Sequence, residues 1–156
     1  MEGSDRNYPQ KRSVHKVLAH SYSTHLILFL IGVVLDIIFQ YKIFNDFILM
    51  PAGALLLMLG TILILWAQST SRHLDISNVT KETFLGGPYR FTRTPTNFGL
   101  FFLVLGFGIV ANALFVILSS LVSFFIAKFV FLKKEEQLLA EKYGAPYLEY
   151  KKSVKF

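Results

Sequence analysis

The 35-residue apolar run from Phe98 to Leu132 constrains the fold more than any other feature of this sequence. A helix needs only ~20 residues to cross the hydrocarbon core of a bilayer, so a single helix of this length would overshoot it. Asn112 lies near the middle of the run, between two alanines, in a position suited to a turn. We therefore expect a tight helical hairpin that turns near Asn112, with two short arms, the first beginning as early as Pro95.

Two further apolar runs precede this hairpin. The first starts at Leu18 or Leu26 and ends at Phe39, and the second extends from Phe47 to Trp66. The composition agrees, because 53% of the residues are apolar and only 17% are charged, whereas soluble domains have about 25% charged residues. The sequence predicts a single all-α integral membrane domain with about four transmembrane helices, the last two forming the hairpin.

The basic residues are distributed asymmetrically around these runs. Every Lys and Arg except Lys42 and Lys128 falls in the N-terminal segment, in the loop of residues 68–96 or in the C-terminal tail. By the positive-inside rule, both termini and the long loop should be cytoplasmic. The formal charge of +6 is therefore a topology signal, and it does not indicate a nucleic-acid-binding surface.

Three parts follow from this pattern. Residues 1–17 form a basic cytoplasmic segment, and residues 18–66 form the first two transmembrane helices. Residues 67–156 contain the polar loop, the hairpin and a C-terminal helical tail, which we expect to cap a polar site at the membrane surface. The sequence has no Cys, which excludes disulfides and thiolate metal sites. Apart from a loose His20/His25 pair, the His residues lack metal-ligand spacing, so no metal is expected, although His73 has the chemistry of a general base. Asp36, near the end of an apolar run, is expected to be interfacial rather than functional.

The polar segment GPYRFTRTPTNFG, residues 87–99, separates two apolar runs. Its Gly-Gly-Pro start permits a turn that most side chains could not enter. Arg90 and Arg93 are three residues apart and could bind a phosphate or a carboxylate. Pro95 suits the first turn of a helix whose free N–H groups attract anionic or electron-rich groups. The same residues also fit an ordinary turn with topology charges.

A second unusual stretch follows the hairpin. Glu135 and Glu136 come just after the last apolar run, where carboxylates could accept hydrogen bonds from ribose hydroxyls or balance a cationic ligand. Three tyrosines then recur at spacings of four and three residues, which lets them share a helix face, while Gly144 and Pro146 interrupt that helix. The alternative is an ordinary solvated amphipathic helix.

Together the two stretches resemble a known family. GPYRFTRTPTNFG is similar to the G-P-Y-R-x-x-R-[H/N]-P-x-Y-x-G segment of the small membrane methyltransferases, the isoprenylcysteine carboxyl methyltransferase and phospholipid N-methyltransferase group. EEQLLAEKYGAPYLEYKKSV is similar to the E-E-x-x-L-x-x-x-[F/Y]-G-x-x-Y-x-x-Y-x-x-x-V tail of that group. The order of spans, loop, hairpin, glutamate pair and tyrosine tail also matches, from about residue 55 to residue 154.

The resemblance implies an enzyme that binds S-adenosylmethionine on the cytoplasmic side. Its acceptor would be a lipid-like molecule with a carboxylate or amine head, entering from the bilayer. Arg93 and Asn97 would position the reactants, and no residue is assigned a catalytic role. The residues that the resemblance places at the cofactor are Lys81, Glu82, Thr83, Phe84, Tyr89, Arg93, Thr94, Pro95, Thr96, Asn97, Glu135 and Glu136.

The chain departs from the family pattern at three positions. Thr94 replaces the His or Asn before the proline, Asn97 replaces the Tyr beyond it, and Phe131 stands where prenylcysteine enzymes have a substrate-contacting arginine. The last change disfavours a prenylcysteine acceptor. Two alternatives stay open. One is a non-catalytic membrane protein that retains the fold, and the other is an NADPH-dependent enzyme of the steroid-reductase-like group, which has a similar segment and hairpin.

Overall fold

The computed structural model describes residues 7–44, 47–72 and 79–154, with side chains described in 19–44, 48–71 and 79–154. Short 3-10 turns at Phe47–Leu49 and Gly87–Arg90 precede α2 and α4, and a π-helical turn at Ala127–Phe131 joins α5 to α6. The α-helices of the described residues are α1 (Asn7–Phe39), α2 (Met50–Arg72), α3 (Lys81–Phe84), α4 (Pro95–Val110), α5 (Leu114–Ile126), α6 (Leu132–Tyr143) and α7 (Ala145–Ser153).

The predicted all-α membrane fold is confirmed, with one difference: the second arm of the hairpin is not short, because it continues as a 30-residue helical segment, Leu114–Tyr143. Three segments, Ala19–Phe39, Met50–Ser71 and Leu114–Tyr143, are long and apolar enough to cross a membrane. Helix α4, the first arm, begins at Pro95 and has 16 residues, as expected for a short arm. At 1.5 Å per residue it spans ~24 Å, less than the ~30 Å hydrocarbon core. The polar loop before Pro95 and the turn after Val110 set this shorter length.

The hairpin turns at Asn112, as the sequence predicts. This residue has a positive φ of 51°, a conformation that Asn tolerates better than most residues. Its Oδ1 accepts hydrogen bonds from the backbone N–H of Ile43 at 2.9 Å and of Phe44 at 3.0 Å, and its Nδ2 donates to the Phe44 carbonyl at 2.7 Å. The side chain therefore ties the hairpin turn to the loop after α1.

Close packing between α2 and α4 depends on paired glycines. Gly60 lies against Gly99, and Gly53 lies against Gly106, so the two antiparallel backbones touch directly. A Cβ on Gly60 would come 2.6 Å from the Gly99 carbonyl oxygen. Small residues are typical of helix contacts in membranes, where backbone approach and van der Waals packing replace a hydrophobic driving force. Gly60 therefore permits the close packing of α2 against α4.

The neighbouring helices lie in the order α2, α4, α5 and α1. On α5 the side chains of Ser119, Ser120 and Ser123 are buried, and each hydroxyl donates to a carbonyl three residues earlier. Large apolar side chains such as Ile38 and Leu55 are exposed on the outside. A bundle with small polar residues inside and large apolar residues outside matches a lipid environment.

Asp36 has a structural role. Its two carboxylate oxygens accept hydrogen bonds from the backbone N–H groups of Phe115 at 3.1 Å and Val116 at 2.9 Å. These donors belong to the first turn of α5, where N–H groups have no partner within the helix. The carboxylate therefore caps α5 from the neighbouring helix and complements the positive end of its dipole.

Chain direction brings the polar segments to one end of the bundle. Helix α2 ends there, α4 begins there, and the continuous helix formed by α5, the π turn and α6 emerges there. The segment Leu114–Tyr143 has 30 residues, or ~45 Å at 1.5 Å per residue, so its last turns extend beyond a ~30 Å core. The polar loop and the tail meet at this end.

Candidate functional site

The Gly87–Arg90 turn opens the site. Gly87 has a φ of 54°, and a Cβ at this position would collide with the Thr70 hydroxyl at the end of α2. Only glycine combines that conformation with so close an approach. Pro88 is fully buried behind it. The turn holds Tyr89 beside α2, where the Tyr89 hydroxyl lies 2.8 Å from the Ser71 Oγ in a hydrogen bond.

The N-terminus of α4 forms the next wall. Pro95 occupies the first turn, and the Thr94 carbonyl accepts hydrogen bonds from the backbone N–H groups of Asn97 and Phe98. The side chains of Pro95 and Asn97 are buried. Since the first N–H groups of a helix lack intrahelical acceptors, this end of α4 presents a positive dipole to the loop, as the sequence predicts.

The two glutamates of α6 have different environments. Glu136 is buried, and its Oε1 accepts from Arg93 Nη1 at 2.5 Å while its Oε2 accepts from Lys151 Nζ at 2.7 Å. This carboxylate therefore joins the polar loop, α6 and α7. Glu135 is partly buried and lines cavities on the other side of the same helix turn. Their separate environments show why adjacent identical residues need not share one role.

The tail folds back onto the loop as an aromatic cluster. Helix α6 ends before Gly144 and α7 starts at Ala145, which confirms the predicted break. The Phe84 ring lies 5.2 Å from the ring of Tyr143 and 5.5 Å from those of Tyr147 and Tyr150, measured between centroids. Burial raises the pKa of Tyr147 and of Tyr150, so both phenols stay protonated at neutral pH.

One contact fixes the tail to the Gly87–Arg90 turn. The Tyr150 hydroxyl donates a 2.8 Å hydrogen bond to the backbone carbonyl of Tyr89. Tyr147, Tyr150 and Val154 are each at most 5% exposed. Helix α7 is therefore packed against the loop.

Two cavities lie between these elements. The first has a volume of about 280 Å³ and is lined by Tyr22, Gln68, Ser71, Tyr89, Arg93, Thr94, Pro95, Thr96, Asn97 and Glu135. The second has a volume of about 170 Å³ and is lined by Thr70, Ser71, Thr83, Phe84, Tyr89, Arg93, Glu135, Leu139, Tyr143, Tyr147 and Tyr150. They share four lining residues, Ser71, Tyr89, Arg93 and Glu135. Taken together they reach the size of ordinary small-molecule sites, about 300–1,000 Å³.

A smaller crevice of about 60 Å³ lies on the α5 side of the α4 N-terminus. Arg93, Thr94 and Asn97 line both this crevice and the first cavity. Its other walls are largely apolar and come from α4, α5, the π turn and α6, through Phe98, Phe124, Ala127, Lys128 and Leu132. The shared residues therefore separate a polar cavity from a crevice between apolar helices.

The structure brings most of the predicted site residues together. Tyr89, Arg93 and Glu135 line both cavities, Thr94 to Asn97 line the first, and Thr83 and Phe84 line the second. Lys81, Glu82 and Glu136 do not line any of these three spaces. Glu82 is exposed to solvent, and both oxygens of Glu136 are held in ion pairs. His73, the candidate base, lies outside the described residues.

Residues of the first two helices complete the site, and sequence reasoning missed them. Tyr22 of α1 lines the first cavity beside Thr96, and Gln68 and Ser71 of α2 line it as well. Tyr22 looks like an interfacial aromatic residue and Ser71 like the polar end of a span. No local signal in the sequence distinguishes them, because only the packing of α1 and α2 brings them to the α4 N-terminus.

A family model described as phospholipid methyltransferase matches residues 47–146. The matched range covers α2, the polar loop, the hairpin, the glutamate pair and the start of α7. No match was found among curated proteins or among solved structures.

Proposed function

This chain belongs to the phospholipid methyltransferase family, and we propose that it transfers a methyl group from S-adenosylmethionine to the amine head of a membrane phospholipid. The observation that carries the proposal is the joining of the loop and the tail around common cavities: Arg93 from the loop and Glu135 from α6 line both. A single small molecule in this space would contact both family motifs.

The residues present fit the proposed cofactor chemically. The Arg93 guanidinium and the α4 N-terminus suit its carboxylate, because charge-assisted hydrogen bonds and the helix dipole both favour an anion. The Glu135 carboxylate suits the ammonium group or the ribose hydroxyls. Phe84, Tyr143 and Tyr147 supply rings on which an adenine could pack. When bound, the cofactor supplies an electrophilic methyl group on a sulfonium.

The small crevice suits the acceptor. It lies between α4 and the α5–α6 helix, its walls are mostly apolar, and Lys128 stands exposed on its rim. A lysine within an otherwise apolar helix is well placed to pair with a lipid phosphate. Arg93, Thr94 and Asn97 would position the head group against the cofactor cavity. Such positioning can lower the activation free energy of a well-oriented reaction by ~7–11 kcal/mol.

The proposed topology follows the charges at the two ends of the bundle. Arg90, Lys134 and Lys152 are exposed at the site end, whereas Lys42 lies in the loop at the other end. We place the site and both termini in the cytoplasm on this basis. In intact cells, a membrane-impermeant thiol reagent should label a Lys42→Cys variant of this cysteine-free chain but not an Arg90→Cys variant. Labelling of both variants from outside would refute this placement.

Labelled methyl transfer tests the proposed reaction. Detergent-purified protein is incubated with methyl-labelled S-adenosylmethionine and vesicles of phosphatidylethanolamine, of phosphatidylcholine or of extracted host lipids. We expect label in phosphatidylethanolamine and none in phosphatidylcholine, whose nitrogen is already fully substituted. Label confined to another host lipid would overturn the amine head, and cofactor binding without transfer to any lipid would favour the non-catalytic alternative. Thermal stabilisation by NADPH in place of S-adenosylmethionine would favour the reductase alternative.

A further inference from the structure

The buried carboxylate of Glu136 lies between two cations, Arg93 and Lys151, at the end of the bundle where the cavities are found. It is 8% exposed, and its two oxygens accept from Arg93 and from Lys151. A buried carboxylate is strongly disfavoured unless it is paired and hydrogen-bonded. Both of its oxygens have cationic partners, and Glu136 does not line the cavities that Glu135 lines. The burial and the pairing indicate that its contacts are with protein groups.

Arg93 is the residue through which this arrangement reaches the site. Its side chain is 16% exposed, and it lines both cavities and the crevice. A guanidinium has five N–H donors in a fixed planar fork, so the ion pair with Glu136 sets the plane in which all of these donors lie. The geometry of the Glu136 pair therefore sets how Arg93 faces a bound anion.

Lys151 connects this pair to the tail. It belongs to α7, next to Tyr150, whose hydroxyl is bonded to the Tyr89 carbonyl. With Lys151 in place, the charge of Glu136 is shared between two cations. Lys151 therefore fixes the second oxygen of the carboxylate, and with it the orientation in which Glu136 holds the Arg93 guanidinium.

We infer that Glu136 and Lys151 are positioning residues, which act on the ligand through Arg93 and do not touch it. The inference rests on the proposed function, in which Arg93 binds the carboxylate of the cofactor. It departs from the expectation that both glutamates of the pair contact the cofactor. It also gives α7 a specific role, because Lys151 on this helix is the second cation that pairs with Glu136.

The cofactor product S-adenosylhomocysteine and a decarboxylated analogue of it test the inference without turnover. S-adenosylhomocysteine has a carboxylate, and its decarboxylated form lacks it but keeps the amine and the ribose. Calorimetric titration of the solubilised full chain gives both dissociation constants. We expect wild-type protein to prefer the carboxylate-bearing ligand by on the order of tenfold or more, as expected for charge-assisted hydrogen bonds.

Variants at the two positions should reduce this preference. The preference is the dissociation constant of the decarboxylated ligand divided by that of S-adenosylhomocysteine. In Lys151→Met and in Glu136→Gln this ratio should fall several-fold, because only the affinity for S-adenosylhomocysteine decreases. Lys151→Arg should restore the ratio, and the matched control Lys152→Met, at an exposed neighbour, should leave it unchanged. A purely structural weakening would lower the affinity for both ligands equally and preserve the ratio.

The remaining outcomes also show whether Glu136 acts through Arg93 or touches the ligand itself. If Glu136 touched the amine or the ribose, Glu136→Gln would weaken both ligands alike, and the inference would be wrong. A wild-type ratio near one would overturn the role of Arg93 while leaving cofactor binding intact. Failure of the wild type to bind either ligand would overturn the proposed function and the inference with it. If Glu136→Gln does not fold, Lys151→Met decides the test, because the Lys151 side chain is 41% exposed and tolerates replacement.

Discussion

Replacement of Glu135 by Gln is expected to weaken the binding of S-adenosylmethionine on the order of 100-fold. Glu135 lines both cavities, so it can contact a ligand that extends through them. Gln keeps the shape of the side chain but removes its charge and one acceptor. A hydrogen bond to a charged group contributes about 1.5–3 kcal/mol, and loss of one such bond to ribose or ammonium accounts for the expected change. Calorimetric titration of the solubilised variant measures it.

The fold should survive this substitution. Glu135 is partly buried next to the carboxylate of Glu136, so neutralising it removes a like-charge repulsion. We expect the thermal unfolding midpoint to stay the same or to rise. Glu149→Gln, at an exposed position of α7, is the matched control and should bind normally. Full affinity in Glu135→Gln would remove Glu135 from the site, and with it the residue of α6 that links the two motifs.

Substitution of Gly60 is expected to have the largest effect on stability. A Cβ at Gly60 would lie 2.6 Å from the Gly99 carbonyl oxygen and 2.7 Å from the Leu103 nitrogen. Both atoms belong to the backbone of α4 and cannot move aside as a flexible side chain could. Gly60→Ala must therefore separate α2 from α4, at a cost of about 1–3 kcal/mol for overpacking. Gly60→Leu should prevent the two helices from closing.

The sign of this effect distinguishes packing from helix propensity. In an isolated helix, Gly→Ala stabilises by about 1 kcal/mol, so a lower thermal midpoint for Gly60→Ala can come only from the contact with α4. Ala54→Leu adds bulk to an exposed position of the same helix and should leave the midpoint nearly unchanged. Wild-type stability in Gly60→Leu would show that α2 and α4 do not pack through their glycines.

Features set by local chemistry could be predicted from the sequence. The start of α4 at Pro95, the turn at Asn112 and the break at Gly144 each depend on one residue with special backbone preferences, inside a run whose hydropathy sets the element type. For the same reason, the two motifs indicated the loop and tail segments that line the cavities. These signals depend on residues close together in the chain and do not require knowledge of the packing.

Features that depend on packing could not be predicted. The partners of Asp36 lie about eighty residues away, at the start of α5. The sequence treats Glu135 and Glu136 alike, and only the fold separates them, because Arg93 and Lys151 pair with Glu136 while Glu135 lines the cavities. Tyr22 reaches the site because α1 packs near the α4 N-terminus. In each case the decisive partner is distant in sequence, and no periodicity or spacing encodes it.

A structure of the protein bound to S-adenosylhomocysteine, determined by crystallography or electron microscopy, tests the central claim most directly. We predict one ligand in the joined cavities, with Glu135 within hydrogen-bond distance of its ribose or amine and Arg93 within reach of its carboxylate. A ligand bound elsewhere, or one that contacts the loop of residues 87–97 while lying too far from α6 to touch Glu135, would contradict the account.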